Sequence, residues 1–208
     1  MQEIEAKEEE PMQSYLFLLP CAMAMSVTSY AQQRTTQIPI FNAGFEALKL
    51  NCEPGGGCWN GHVPGWSPDW FNNGGYGTFK PGPDQFPGGV PGGANCGYVG
   101  ANSSPGGVFQ LLDATLQANT TYILRVSIGH RADEVFAGYV ASLMAGSIQI
   151  AFGNSLNPPA GTFLDDTITY QTGPTPVLLG QRLAIAIKSV ADFGQVDIDN
   201  VSLTAIGQ

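Results

Sequence analysis

Three tryptophans, a histidine, a phenylalanine and a tyrosine fall within one stretch of the chain, "CWNGHVPGWSPDWFNNGGYG" from Cys58 to Gly77. Sugars present C–H faces that pack on flat aromatic rings, and hydroxyls that seek short polar side chains. Trp59, Trp66, Trp70 and Tyr76, set among Asn60, Asp69, Asn72 and Asn73, supply both. This mixture makes the stretch a candidate carbohydrate-binding surface. The competing use of such rings is packing, with Phe71, Phe79 and Phe86 filling a satellite core beneath the loop.

Other chemistry is thinly represented. His62 can join Cys58 or Asp69, but a Cys-x-x-x-His pair without two further ligands is a weak zinc pattern, and a loop histidine bonded to backbone is the plainer reading. In "GHRADE", His130, Arg131, Asp133 and Glu134 gather four polar groups at one strand end, where sandwich proteins carry binding loops. The Arg131 fork can take two hydroxyls or a carboxylate of a ligand. Equally, it can pair with Asp133 at the surface. Asp165 and Asp166 are neighbours on one strand, so their carboxylates point to opposite faces and cannot easily flank one bond. There is no G-x-S-x-G elbow, H-E-x-x-H helix, P-loop or dinucleotide fingerprint. With two histidines in all, a three-histidine metal site is excluded.

The elements that must hold these residues are strands. At 208 residues and 43% hydrophobic the chain fits one domain with a substantial core, and with 12% charged residues and 27 glycines it has the composition of an extracellular β-protein. "TYILRVSIG" (Thr121 to Gly129), "TFLDDTITYQT", "QRLAIAIKS" and "GQVDIDNVSLTA" alternate apolar with small or polar residues, and "LMAGSIQIAFG" joins two strands through Ala145-Gly146-Ser147. The pattern predicts about eight or nine antiparallel strands in an all-β, two-sheet sandwich or jelly roll. Residues 47–95 interrupt it with a long aromatic, Gly-rich segment, a length of irregular chain that is normally functional.

Residues 12–31 read as a secretion signal, with an apolar run from Tyr15 to Met25 and small residues at Ser29 and Ala31. The acidic residues 1–11 before it lie outside the native protein if translation starts at Met12; otherwise they form an acidic disordered leader. Removing residues 1–31 takes Lys7 and five glutamates from the chain's 8 basic and 17 acidic residues, leaving 7 against 12. That balance excludes nucleic-acid and anionic-membrane binding, and the apolar run is too short to span a membrane. Of the remaining cysteines, Cys52 and Cys58 can close the loop "CEPGGGC" in an oxidising compartment; spacing alone leaves the pairing, and the partner of Cys96, open.

Taken in order, "NAGFE", "VPGW", "FPGGVPGGANCGYVG", "LQANTTYILRVSIG" and "VDIDNVSLTA" resemble the galactose-binding-like jelly-roll domains of bacterial secreted proteins, which are similar to carbohydrate-binding modules and often precede a C-terminal sorting signal. The resemblance spans Ile38 to Ala205. It implies that the Trp of "VPGW", Trp66, is a core residue, which leaves Trp59, Trp70 and Tyr76, beside Asp69, Asn72 and Asn73, as the exposed ligand-binding set. It also implies a structural calcium between the first and last strands, held by Glu46 and by Asp197 or Asp199, with Asn42 adding an oxygen. Ca²⁺ wants six to eight hard oxygens. Val196, Ile198 and Val201 read as core, so Asp197 and Asp199 share the other face of their strand. Capping of turns is the alternative use of these acids. Without a terminal hydrophobic segment and basic tail, the chain departs from the anchored members and reads as freely secreted. The expectation is therefore an exported, non-catalytic module that binds carbohydrate. The rivals are a matrix protein that self-associates through its aromatics, and a hydrolase or lyase using Asp69, His62 and Arg131.

Overall fold

The period-two alternation of apolar residues builds the sheets as expected. A computed structural model describes residues 33–53, 55–68, 74–100 and 104–207, so the leader 1–11, the signal segment 12–31 and Asp69, Trp70, Phe71, Asn72 and Asn73 lie outside the described residues. Among the described residues the regular elements are strands: β1 (Arg34–Ile38), β2 (Cys58–Asn60), β3 (Ser67–Pro68), β4 (Tyr76–Lys80), β5 (Cys96–Gly100), β6 (Gly107–Thr115), β7 (Thr120–His130), β8 (Tyr139–Ala145), β9 (Ile148–Gly153), β10 (Thr162–Gln171), β11 (Arg182–Ser189) and β12 (Gln195–Gly207). No helix among them is long and apolar enough to cross a membrane.

The strands form two sheets, and all the strand-to-strand ladders are antiparallel. The larger runs β10-β7-β12-β5-β4-β2, with β1 also paired to β12; the smaller runs β3-β6-β11-β8-β9. Between them lies the main core: Tyr122, Leu124, Val126 and Ile128 from β7, Leu143 from β8, Leu183, Ile185 and Ile187 from β11, and Val196, Ile198 and Leu203 from β12. The β7 and β11 sets are spaced by two, because alternate residues of a strand face the same layer, and in β12 a register shift between Asp199 and Ser202 separates Ile198 from Leu203.

The segment 47–95 is less irregular than its composition suggests. It contributes β2 and β4 to the large sheet and β3 to the edge of the small one. Runs of two to five residues are too short to display an alternation, so more strands form than the sequence pattern reveals. Cys52 and Cys58 are joined in a disulfide at the start of this segment, while Cys96 is free and buried. Trp66 is buried, stacks on Phe45 with centroids 5.6 Å apart, and donates its Nε1–H to Asn42 O. The ring pins the loop to the sandwich. Trp66→Ala removes both contacts and leaves a large cavity, so urea unfolding is expected to show a loss of about 3–5 kcal/mol; a loss below about 1 kcal/mol would remove Trp66 from that role.

Candidate active site

The outward face of the large sheet carries a second, smaller core. Phe79, Phe86, Cys96 and Tyr98 are buried there, with Val90 and Phe163 packed against them. One cross-strand row explains how they fit: Phe163 pairs with Gly129, Gly129 with Asp197, Asp197 with Tyr98, and Tyr98 with Gly77. Directly paired residues share a face, so these five lie side by side. Both glycines make room for rings. A Cβ on Gly129 would lie 2.5 Å from the Phe163 ring, and one on Gly77 would lie 2.6 Å from the Tyr98 ring. Residues 82–95 then pass over the row, and Phe86 meets Phe163 at 4.5 Å between centroids.

Asp197 sits in the middle of that row with no exposure to solvent. Its Oδ1 accepts from Gln195 Nε2 at 2.7 Å and from the Cys96 thiol at 3.7 Å. Its Oδ2 has no partner, the one such buried side-chain oxygen or nitrogen among the described residues. Burial pushes the carboxyl up to about 7, against the Gln195 donor and the charge of Arg131, which favour ionisation. Burial and the nearby Asp197 charge also push Cys96 up, which keeps it a thiol. The result is an acid that can hold a proton near neutral pH, with one oxygen unspoken for, under a roof of aromatic rings. A cleft of about 400 Å³ between Pro87–Pro91 and Ala160–Phe163 shares Val90 and Phe163 with the cluster. That volume falls in the range of small-molecule sites.

The residues singled out from sequence are distributed differently. Trp59 is 69% exposed and stands at the rim, edge-on to Tyr98 with centroids 6.4 Å apart. Tyr76 turns to the other face of β4 and packs partly buried against the main core. The two therefore do not share one platform. Trp70, Asp69, Asn72 and Asn73 lie outside the described residues. His62 is an exposed loop residue whose carbonyl accepts from Thr78 Oγ1. The Arg131 fork is filled by Asp133, with Nε at 3.0 Å and Nη2 at 2.8 Å, and its Nη1 donates to Gln195 Oε1 at 3.1 Å. His130 places its ring nitrogens 2.9 Å from Pro158 O and 3.2 Å from Glu134 O. Asp165 and Asp166 face apart as alternation requires, the first accepting from Ser127, the second from Tyr139 in the opposite sheet.

The calcium candidates also separate. Glu46 and Asp199 both meet residues 92–95: Glu46 Oε1 accepts from the N–H groups of Ala94 and Asn95, and Asp199 Oδ2 from that of Gly92. Burial, with the Glu46 charge adding to it, pushes Asp199 up to about 7. Asn42 is committed elsewhere, since its Oδ1 accepts from Ala47 N–H and its Nδ2 donates to Pro64 O. Among the described residues no cluster of three His, Cys, Asp or Glu side chains is poised to hold a metal.

Fold and site together define an all-β sandwich with a buried acid enclosed by apolar walls, a setting for small-molecule chemistry. The chain belongs to the HpiC1-like family, whose model, described as HpiC1 cyclase, matches residues 36–204. Among solved structures it is similar to the Stig cyclase FisC of Fischerella sp. TAU in complex with (3Z)-3-(1-methyl-2-pyrrolidinylidene)-3H-indole, at 30% identity over 83% of this chain and 98% of that one, with a TM-score of 0.74. A cyclase of the same organism, in complex with 4-(1H-indol-3-yl)butan-2-one, gives 30% identity over 82% and 97% of the two chains and a TM-score of 0.73. A carbohydrate-binding module in complex with β-1,4-galactotriose shares the fold, at 10% identity, 81% and 98% coverage and a TM-score of 0.54. Among curated proteins no sequence matches.

These findings correct the functional expectation. The jelly-roll architecture stands, but membership of a cyclase family overturns the non-catalytic reading, and cyclase neighbours holding indole compounds overturn carbohydrate as the partner. A physical reason is visible on the outward face, where Arg131, Gln195 and Asp197 bond to one another beside apolar rings instead of standing free for hydroxyls. Sequence reasoning missed the burial of Asp197, which depends on chain a hundred positions earlier.

Because the folded-state value of Asp197 is raised, the ionised side chain opposes folding: stability falls as pH rises from about 4 to about 7 and is level above. In metal-free buffer, Asp197→Asn is therefore expected to melt a few degrees higher than wild type at about pH 8, with the difference shrinking at about pH 4. Equal melting temperatures at both pH values would show that the carboxyl is not held in a desolvated site.

Proposed function

We propose that this protein is a cyclase that isomerises an indole-bearing small molecule, with Asp197 as the general acid. The observation that carries the reading is the unpartnered Oδ2 of a fully buried carboxyl set among Tyr98, Phe79, Phe86 and Phe163. A protonated Asp197 delivers the Oδ2 proton to the substrate and makes it electrophilic. The ring then closes by forming a carbon–carbon bond, and the proton released from the cyclised cation returns to Oδ2. Atoms and charge balance without a co-reactant, so product and substrate are isomers. Aromatic rings stabilise a cation held against their faces, and exclusion of water keeps it from being trapped as an alcohol.

The assay is incubation with a panel of indole-bearing alkenes, followed by a search for products of unchanged mass. Cyclised isomers are expected from wild type, with at least a hundredfold less from Asp197→Asn, in line with loss of a general acid. Undiminished turnover in a folded Asp197→Asn would remove the acid from this role.

Calcium belongs to the same proposal as a structural ion. Glu46 and Asp199 would hold it with backbone carbonyls, and the ion would offset the repulsion between two carboxylates that meet one loop. EDTA is then expected to lower the melting temperature by several degrees, with recovery on adding Ca²⁺ in excess. Indifference of the melting curve to EDTA would count against the ion. Export through residues 12–31 is likewise proposed, and the Cys52–Cys58 disulfide supports it, since such bonds persist in oxidising compartments.

A further inference from the structure

Asp197 is approached by donors whose direction is fixed by a residue that never touches it. A guanidinium has donors only, so the oxygen of Gln195 must face Arg131, whose Nη1 lies 3.1 Å away. The amide NH₂ is then turned toward Asp197, with Nε2 donating to Oδ1 at 2.7 Å. The Cys96 thiol donates to the same oxygen. Arg131 is itself held from two other sides, by the two bonds to Asp133 and by the Phe79 ring 4.7 Å from its guanidinium carbon. Asp133 also accepts from Gln85 at 3.2 Å, and Gln85 adjoins Phe86 of the covering segment. The charged and titratable groups around the carboxyl are thus Arg131, Asp133, Cys96, Asp199 and the cross-strand neighbour Tyr98, and the two donors that reach Asp197, Gln195 and Cys96, both end on Oδ1.

We propose that Arg131 and Gln195 are positioning residues for Asp197: a one-way donor relay that fixes Oδ1 as the accepting oxygen and leaves Oδ2 as the atom that carries and delivers the proton. The inference rests on the reading of Asp197 as the acid and adds which oxygen acts and what selects it. An oxygen that already accepts two donors cannot also point a proton at either of them, so the O–H of the neutral acid lies on the other oxygen. Without the relay the amide is free to rotate, and the acid proton can move to Oδ1, away from the substrate.

Infrared difference spectra of wild type minus Asp197→Asn, taken at mildly acidic pH, isolate the carboxylic C=O stretch of Asp197 without any ligand. Donors on Oδ1 lower that stretch. Gln195→Met, which removes the amide donor at similar volume, is expected to shift the band to higher wavenumber. Arg131→Met, which frees the amide, is expected to shift it in the same sense and broaden it; Arg131→Lys, which keeps a donor, is expected to restore the wild-type position. Should Arg131→Met fail to fold, Gln195→Met decides alone. An unchanged band in folded Gln195→Met overturns the relay.

Calorimetry with 4-(1H-indol-3-yl)butan-2-one as probe separates positioning from contact. Affinity is expected to stay within about twofold in Gln195→Met, whereas a tenfold loss would make Gln195 a ligand contact and overturn the positioning role. If wild type does not bind the probe, it is the small-molecule reading that suffers, while the infrared band still tests the relay.

Discussion

The rest of the outward face depends on keeping one carboxyl out of water. Transferring an acid into an apolar site favours its neutral form, and burial accordingly pushes the Asp197 carboxyl up to about 7, with no cation directly against it. Its nearest charge of opposite sign, Arg131, reaches it through an amide and is already neutralised by Asp133. Had the guanidinium met Asp197 directly, the carboxylate would stay ionised and could donate nothing. The interposed Gln195 keeps the acid hydrogen-bonded yet weakly coupled to positive charge. Keeping water away in turn requires the cover: Phe86 and Val90 from residues 82–95, Phe163 from β10, and glycines at 77 and 129 that let two rings lie across the sheet.

β12 joins this site to the fold. Val196, Ile198 and Leu203 face the main core, while Gln195, Asp197 and Asp199 face outward, and the strand pairs with β1, β5 and β7. A bulge between Asp199 and Ser202, with Asn200 at φ 47°, breaks the register just after the last outward acid. Parity along one strand therefore separates what stabilises the sandwich from what serves the site. Because the central strand is held on both flanks, the carboxyl rests on backbone fixed from both sides, as the proposed proton delivery requires.

Alternation alone made the sandwich legible, and it placed Asp197 and Asp199 opposite Val196 and Ile198. What it could not show is whether the outward face meets water. A strand with acids on one side and valines on the other reads as half-solvated, and two nearby acids read as metal ligands. The cover that changes this comes from residues 82–95, whose Pro and Gly content gives no period to read. The tryptophans drew attention for a sound reason, yet the phase of β4 sends Tyr76 inward and Phe79 outward, and that phase is set by pairing with β5 and not by local sequence. A local signal for the acid did exist: a polar residue at every second position, Gln195, Asp197 and Asp199, alternating with Val196 and Ile198.

The same sandwich can serve sugars or cyclisation, so the difference must lie in how polar groups on the outward face are spent. A sugar carries many hydroxyls, and each one buried without a partner costs about 1–3 kcal/mol. Here Arg131 bonds to Asp133 and Gln195, Gln195 and Cys96 bond to Asp197 Oδ1, and among the described residues a single buried side-chain oxygen is left over. Among the described residues, the buried part of such a face offers a polyhydroxylated ligand little to bond and much to desolvate. To a largely apolar molecule with one site that accepts a proton, it offers matched walls and the one group required. On the proposed reading, closure of the face, more than any residue type on it, turns a binding fold toward acid chemistry.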